Sequence, residues 1–600
     1  MWLLLFACAP EAPTPVPFCE SPVAMLYDPA PDGELNSFPD DFWTEEADTP
    51  TGKRIALRVD ETPMLQGFPE NFVGIFDDLS TLDGWGLTAG IFLRANNVLP
   101  ELKPEQLRLR AAGRDWPLEI RTTDGGQTLL VRPYFPLPEA APAALVYLTD
   151  PRSESCVAPS AYTRRLLDPA AADPAPDAER YQAVLAEMGV APENVAGMTV
   201  FTTQSATHLG RAIAADVAAR DYALTAPMTC GVGEHYRTCD GFLTVQDYRA
   251  EDHIVPMDST GAPLGSYDLP VRVWLPATGT APYPTLLCGH GLGGGRGQCD
   301  VLADQVWERG VAVVAVDAVE HGDHPGRTVP DISLIEDFMI FAITMDPPGL
   351  NALRLRDNFR QSAWDKLQVI RAIEGGMDVE GDGTVDLDAS HLGYVGVSLG
   401  AIMGPEPLAL SPHLNGAALV VGGGRISSII QESASFGVLV DLMRPPGLGD
   451  GEVDRFFPVL QTVIDAADPM IWGHRVLEER FDDRAPPSIL VMLAYNDQIV
   501  PNSSNDALVR GLGLSGVGTQ VWETPEIPFV EAPLSGNLSG GGTAGLLQMG
   551  TVQMEQGGAW EPADHSSLHE SVQGKAAIQD FLQSVLHDEV PVITDPEREP

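Results

Sequence analysis

Positive charge is scarce in this 600-residue chain. Its 36 lysines and arginines face 84 aspartates and glutamates, a formal net charge of −48. Such a surface repels polyanions, which excludes nucleic acid as an electrostatic partner and disfavours anionic lipid headgroups. The acidity is dispersed and not gathered into one run, so it reads as a solubilising surface. Long apolar runs are missing too: after the N-terminus nothing approaches the roughly 20 apolar residues of a membrane span. There is no internal repeat, and no Cys-x-x-Cys pair of the kind that binds zinc. What remains is a globular composition, 44% hydrophobic and 20% charged. The length exceeds what one core accommodates, so two or more domains are expected.

The seven cysteines stand at 8, 19, 156, 230, 239, 288 and 299. An odd number raises the question of what the unpaired one does. Cys8 follows "MWLLLFA" and precedes the Pro-rich "APEAPTPVP". That arrangement resembles a bacterial lipoprotein signal, which implies export, lipidation at Cys8 and a membrane anchor through that lipid. The other six can then pair in an oxidising compartment. Proximity favours Cys230 with Cys239 and Cys288 with Cys299, although proximity alone does not fix connectivity.

Along the chain, residues 1–34 read as signal and linker, and 35–224 as a β-rich, sandwich-like region with a helical segment. "LRLRAA", "PLEIRTT", "TLLVRPYF" and "AALVYLTD" read as strands, with Asp124-Gly125-Gly126 as a hairpin turn. Between 161 and 222, "AERYQAVLAEMG" and "THLGRAIAADVAAR" look helical. From 225 the texture changes. "GFLTVQDYR" and "LPVRVWLPA" read as antiparallel edge strands. "YPTLLCGHG", "VAVVAVDAV", "LGYVGVS" and "SILVMLAYND" are apolar runs separated by helical stretches, the pattern of a mostly parallel α/β sheet covered on both faces. Chemistry in such a sheet gathers at the strand C-terminal ends.

"GVSLG" follows one of these runs and is the one Gly-x-Ser-x-Gly in the chain. The pentapeptide is short enough to arise by chance, so its context decides. A strand enters it, "LGAIMG" can begin a helix, and the flanking glycines permit the sharp turn of a nucleophile elbow. A serine hydroxyl needs a base within reach and a carboxylate to orient that base. Asp497, just past "ILVMLAY", and His565, in the polar "WEPADHSSLHE", follow Ser398 in the order serine, acid, histidine. Upstream, "CGHGLGGG" ends another apolar run and reads as an oxyanion loop, with the amides of Leu292 and Leu399 as candidate donors. A P-loop would need a following Lys-Ser/Thr, which is absent, and the run from Gly291 to Gly297 does not itself hold a Gly-x-Gly-x-x-Gly spacing.

These four motifs make residues 225–588 resemble the α/β-hydrolase family. "FPDDFW", "LSTLDGWGLTAGI" and "TVFTTQS" give the N-terminal part a resemblance to bacterial lipoprotein lipases of the virulence-factor type. The resemblance implies a lipid-anchored carboxylic-ester hydrolase on the outer membrane or cell surface, acting on an ester or lipid without a cofactor. Ser398, Asp497 and His565 fall on the family's nucleophile, acid and base.

Other residues carry competing readings. His569, one helical turn after His565, is the alternative base. Asp468 in "DAADPM" is a weaker acid candidate, and a cap or turn is expected of it. His321, Asp323 and His324 could form a metal cluster or a His-Gly turn. In "DVEGDGTVDLD", Asp378, Glu380, Asp382 and Asp386 fall at calcium-loop positions with Gly383 at the turn, but Ala389 stands where a bidentate Glu belongs, so an acidic surface turn is expected.

Three functions compete: a serine esterase or lipase, an exopeptidase with the same triad, and a surface-binding module that kept the fold without the chemistry. The long stretch before Asp497, with an insertion at about 405–485, and the apolar "ISLIEDFMIFAITM" after "HGDHPGR" are expected to form a helical cap whose inner face makes an acyl pocket. Residues 589–600 read as a tail, and oligomeric state is not encoded legibly.

Overall fold

A computed structural model describes residues 14–29, 35–62, 70–328, 336–345 and 348–598. Cys8 lies outside the described residues. The central sheet has eleven strands: β1 (Thr229–Val232), β2 (Tyr236–Asp247), β3 (Gly265–Pro276), β4 (Tyr283–Gly289), β5 (Ala312–Val316), β6 (Leu387–Val397), β7 (Leu414–Val420), β8 (Ser488–Ala494), β9 (Gly516–Val517), β10 (Phe529–Val530) and β11 (Ala544–Met549). Their order is β1-β2-β3-β5-β4-β6-β7-β8-β11-β9-β10. Pairing is antiparallel from β1 to β5 and parallel beyond. The parallel strands are apolar where helices cover both faces: every residue of β5 and of β8 is buried.

One face carries α1 (Asp300–Val306) and, from the chain's end, the helix Val572–Leu586; their side chains share one core. The other face carries α2 (Ala352–Glu374), which is buried over almost its whole length. The remaining helices after residue 225 are α3 (Leu399–Met403), α4 (Pro405–Leu410), α5 (Ile426–Glu432), α6 (Ala434–Met443), α7 (Asp450–Ile464), α8 (Pro469–Leu477) and α9 (Asn502–Leu512), which makes Val572–Leu586 α10. Among the described residues no single helix is long and apolar enough to cross a membrane.

Two expectations need correcting. The segment "LNGAALV", inside the insertion expected at about 405–485, is β7, paired in parallel with β6 and β8, so it belongs to the central sheet and the stretch that leaves the sheet follows it, from 421 to β8. The strands read as edges, β2 and β3, lie inside β1, which takes the edge.

Upstream lie two antiparallel sheets of four strands. One is ordered Ser37–Phe38, Ile91–Arg94, Thr128–Pro133, Leu118–Thr123; the other Val195–Thr202, Pro142–Leu148, Leu107–Ala111, Arg114–Trp116. Asp124-Gly125-Gly126 makes the turn between two paired strands, with both glycines at positive φ. Helices Ala178–Met188 and His208–Ala218 form where the sequence predicts them. Between them Val195–Thr202 is a strand, because its apolar residues complete a sheet whose partner, Pro142–Leu148, is distant in sequence.

The insertion packs on these upstream sheets. Leu460, Val463 and Ile464 of α7 share one core with Leu87, Phe92 and Leu130. Asp465 accepts the Thr88 amide at 3.1 Å, Gln204 donates to the Thr462 carbonyl at 2.8 Å, and Arg132 pairs with Glu432 at 3.0 Å. One core therefore runs across the division expected at residue 224. Asp468 caps α8 and also accepts the amides of Arg425 and Ile426, the role the sequence predicts.

Candidate active site

Ser398 stands at the turn from β6 into α3 with φ 54° and ψ −114°, a conformation that side-chain-bearing residues rarely adopt. The surroundings hold it there. Its amide donates to the Val420 carbonyl at 2.9 Å, and the Tyr394 hydroxyl donates to the Gly400 carbonyl at 2.6 Å. The glycines are steric requirements: a Cβ on Gly400 would stand 2.1 Å from the Gly289 carbonyl oxygen, and one on Gly396 2.5 Å from the Gly400 backbone. Strand β4 thus ends directly against the elbow.

The structure brings Ser398, His565 and Asp497 together. His565 Nε2 lies 2.8 Å from Ser398 Oγ, and its Nδ1 lies 2.8 and 2.9 Å from the two Asp497 oxygens. With Nδ1–H donated to the carboxylate, Nε2 is left to accept the serine proton. The Asp497 side chain has no solvent exposure, and its Oδ1 also accepts the amides of Ile499 at 3.0 Å and Val500 at 2.8 Å. The acid and base loops are tied by a parallel bridge between Asn496 and Asp564. His569 is not on Ser398: its Nε2 sits 3.9 Å from Glu570, its Nδ1 is buried without a partner, and burial holds its pKa below the usual range.

The Gly-rich loop after β4 is tightly fixed. His290 donates from Nδ1 to the Gly291 carbonyl at 2.8 Å and accepts the Ala318 amide on Nε2 at 2.9 Å. Burial, followed by the neighbouring His321, lowers its pKa to about 4, so it stays neutral. The Gly291 amide is held by Gln298 Oε1 at 3.1 Å and the Gly293 amide by His321 Nε2 at 3.4 Å. Leu292, whose amide lies between these two engaged ones, lines the cavity beside Ser398. The Leu399 amide is the first of α3, where a helix leaves its N–H groups without intrahelical acceptors. Sequence reasoning missed Gln298 entirely and weighed His321 only as a metal ligand or turn residue.

The sites weighed for metal are occupied by other work. His324 Nε2 meets Asp365 at 2.9 Å, and Asp323 pairs with Arg296 at 2.8 Å. In the acidic loop, Asp378 accepts the amides of Gly381 and Gly383, Asp382 that of Thr384, and Asp386 that of Val379, while Glu380 pairs with Arg237. The carboxylates cap their own turn instead of converging. Among the described residues no group of three or more His, Cys, Asp or Glu side chains could hold a metal ion. The disulfides Cys230–Cys239 and Cys288–Cys299 form as predicted, and Cys19–Cys156 is the third.

A cavity of about 470 Å³ opens at Ser398. The acyl pocket expected under the insertion is not what lines it. Of residues 421–487, only Ser435 reaches the cavity, whereas Phe338, from the other apolar stretch expected in the cap, does line it.

No protein-family model and no curated protein matches the sequence. Among solved structures, the chain is similar to acetyl xylan esterase 1 from a Thermoanaerobacterium strain, with 15% identity over 63% of this chain and 93% of that one and a TM-score of 0.39. It is also similar to an acetyl xylan esterase from a Paenibacillus strain (18% identity, 55% and 87% covered, TM-score 0.35). An acylaminoacyl peptidase matches at 11% identity, with 61% and 43% covered and a TM-score of 0.32. All three scores lie below 0.5, so the functional reading rests on this chain's own side chains.

Proposed function

We propose that this protein is a serine hydrolase of carboxylic esters on an α/β-hydrolase frame. Ser398 is its nucleophile, His565 its base, Asp497 the acid that orients the base, and the Leu292 and Leu399 amides the oxyanion donors. The observation that carries the reading is the unbroken hydrogen-bonded chain from buried Asp497 through His565 to a strained Ser398 at the wall of a cavity.

Ser398 Oγ attacks the ester carbonyl while its proton passes to His565 Nε2, and the carbonyl oxygen takes the negative charge between the two amides. As the tetrahedral species collapses, the proton moves from Nε2 to the leaving alkoxide, which departs as the alcohol. Water then repeats the sequence on the acyl-enzyme: His565 takes its proton, and Ser398 recovers one as the carboxylic acid is released. Asp497 stabilises the imidazolium formed twice in the cycle without itself taking the proton.

Three disulfides support a chain exported to an oxidising compartment. Anchoring by lipid at Cys8 belongs to the same proposal, and a Cys8→Ser chain is expected in the soluble fraction when the parent sediments with membranes. For the activity, a tagged fluorophosphonate is expected to label one peptide, that of Ser398, together with loss of p-nitrophenyl acetate hydrolysis. An unlabelled, folded protein would overturn the assignment and favour a binding module.

A further inference from the structure

The cavity at Ser398 does not run under the insertion. Its deeper walls are α1 and α10, with β4 and β6 between them. Cys288 and Val395 are register partners on these two strands, so their side chains stand next to each other on the face that α1 and α10 cover. Cys288 is bonded to Cys299 at the start of α1, and both sulfurs belong to cavity-lining residues. Leu302 and Ile578 close the sides, and Val301, 45% exposed, stands at the rim. This makes an apolar channel between two helices that begins at the nucleophile. Its volume, about 470 Å³, is within the roughly 300–1,000 Å³ of small-molecule sites.

We infer that this channel is the chain-binding site. The aliphatic chain of the ester lies between α1 and α10 against the Cys288–Cys299 disulfide, so that Val301, Leu302 and Ile578 set the chain length accepted. The inference rests on the ester-hydrolase reading and adds to it the substrate class, esters with an extended aliphatic arm. The apolar and sulfur side chains of the walls are interrupted by the polar Gln298, Gln305, Ser435, Ser566, His569 and Glu570, besides His290 and the reacting groups themselves. The insertion contributes little to the competing direction, because Phe436 turns inward onto Phe338 and Phe341, with ring centroids 5.0 and 4.8 Å apart.

The test narrows the channel from its rim with Val301→Trp and from its side with Leu302→Phe. The readout is the ratio of kcat/KM for the long chain to that for the short one: octanoate against acetate in p-nitrophenyl esters, and octyl against ethyl in n-alkyl acetates. A ratio is insensitive to how much of a variant folds. Each buried methylene is worth about fourfold, so excluding three lowers the ratio about sixtyfold. A fall in the p-nitrophenyl series identifies the acyl chain as the occupant, and a fall in the n-alkyl series identifies the alcohol chain. Unchanged ratios in both series overturn the inference. So does a fall produced by Phe338→Trp alone, which would place the chain on the insertion side. Failure of the wild type to react with fluorophosphonate would instead sink the hydrolase reading itself.

Discussion

Two hydrogen-bonded chains in this molecule start from a buried aspartate, and they differ in what lies at the far end. Asp497 holds His565, which holds Ser398, and Ser398 faces a cavity. In the upstream sheets Asp40 accepts from the Tyr181 hydroxyl, which lies 3.1 Å from the Tyr27 hydroxyl. Asp40 also accepts the Phe42 amide at 2.8 Å and the Thr199 hydroxyl at 3.0 Å, with Arg180 at 3.5 Å. Tyr27 and Tyr181 are 3% and 1% exposed, so that chain ends in packed protein, and burial raises both phenols. A relay of polar groups becomes a reaction site when its last member is backbone-strained and open to a ligand. Otherwise it satisfies buried donors and acceptors.

The largest effect that separates the two is kinetic. Ser398→Ala and His565→Ala are each expected to lower kcat for p-nitrophenyl acetate by about 10³-fold or more, with Ser398→Ala keeping the unfolding free energy within about 1 kcal/mol. Chemical denaturation beside initial rates checks both. Tyr181→Phe is expected to do the reverse, costing about 1–3 kcal/mol of stability through the partner it strands and leaving kcat/KM alone.

The disulfides sharpen the same contrast. Cys19–Cys156 closes a separation of 137 residues and Cys288–Cys299 one of 11. In the chain-entropy model, removing the first costs about 5 kcal/mol and the second roughly 2–3. Removing the second is expected to lower kcat as well, because it frees the loop that carries Leu292. If removing the upstream pair lowered kcat as much, the division of labour drawn here would fail.

Titration gives a smaller effect. Burial pushes Asp40 up to about 6 from 3.8, so between those values the folded state holds the proton more tightly than the unfolded one. Its contribution to stability therefore declines as pH rises from about 4 to about 6 and stays low above. Relative to Asp40→Asn, the wild type is expected to lose up to about 3 kcal/mol across that window. Denaturant midpoints for the two proteins at several pH values measure it. The smallest effect is expected from His569→Ala, within about threefold in kcat/KM, since that ring lines the cavity without touching Ser398.

The site was legible where its signal is local. Gly396, Ser398 and Gly400 announce the elbow because the steric demand falls within five residues, and Asp497 and His565 each follow a recognisable change of texture. Strand β7 was not legible: "LNGAALV" is short, small and Gly-containing, and it is a strand because β6 and β8 flank it. The direction of the cavity was hidden for a related reason. Val301, Leu302 and Ile578 are ordinary helix residues, and what distinguishes them is the gap between α1 and α10. The apolar face of α7 was plain in the sequence, but which surface covers it depends on strands more than 300 residues upstream.

That last dependence has a consequence for biosynthesis. The upstream sheets enter the compartment where the chain folds before residues 421–487 do and can fold ahead of them. If that surface assembles first, it gives Leu460, Val463 and Ile464 of α7 a template to settle on. A chain started at residue 225 would carry the central sheet and Ser398, His565 and Asp497, yet emerge with an uncovered adhesive face. It is expected to aggregate during synthesis and to regain solubility when residues 14–224 are co-expressed as a separate polypeptide. In that sense the upstream sheets are expected to act as a built-in chaperone for the residues that pack on them.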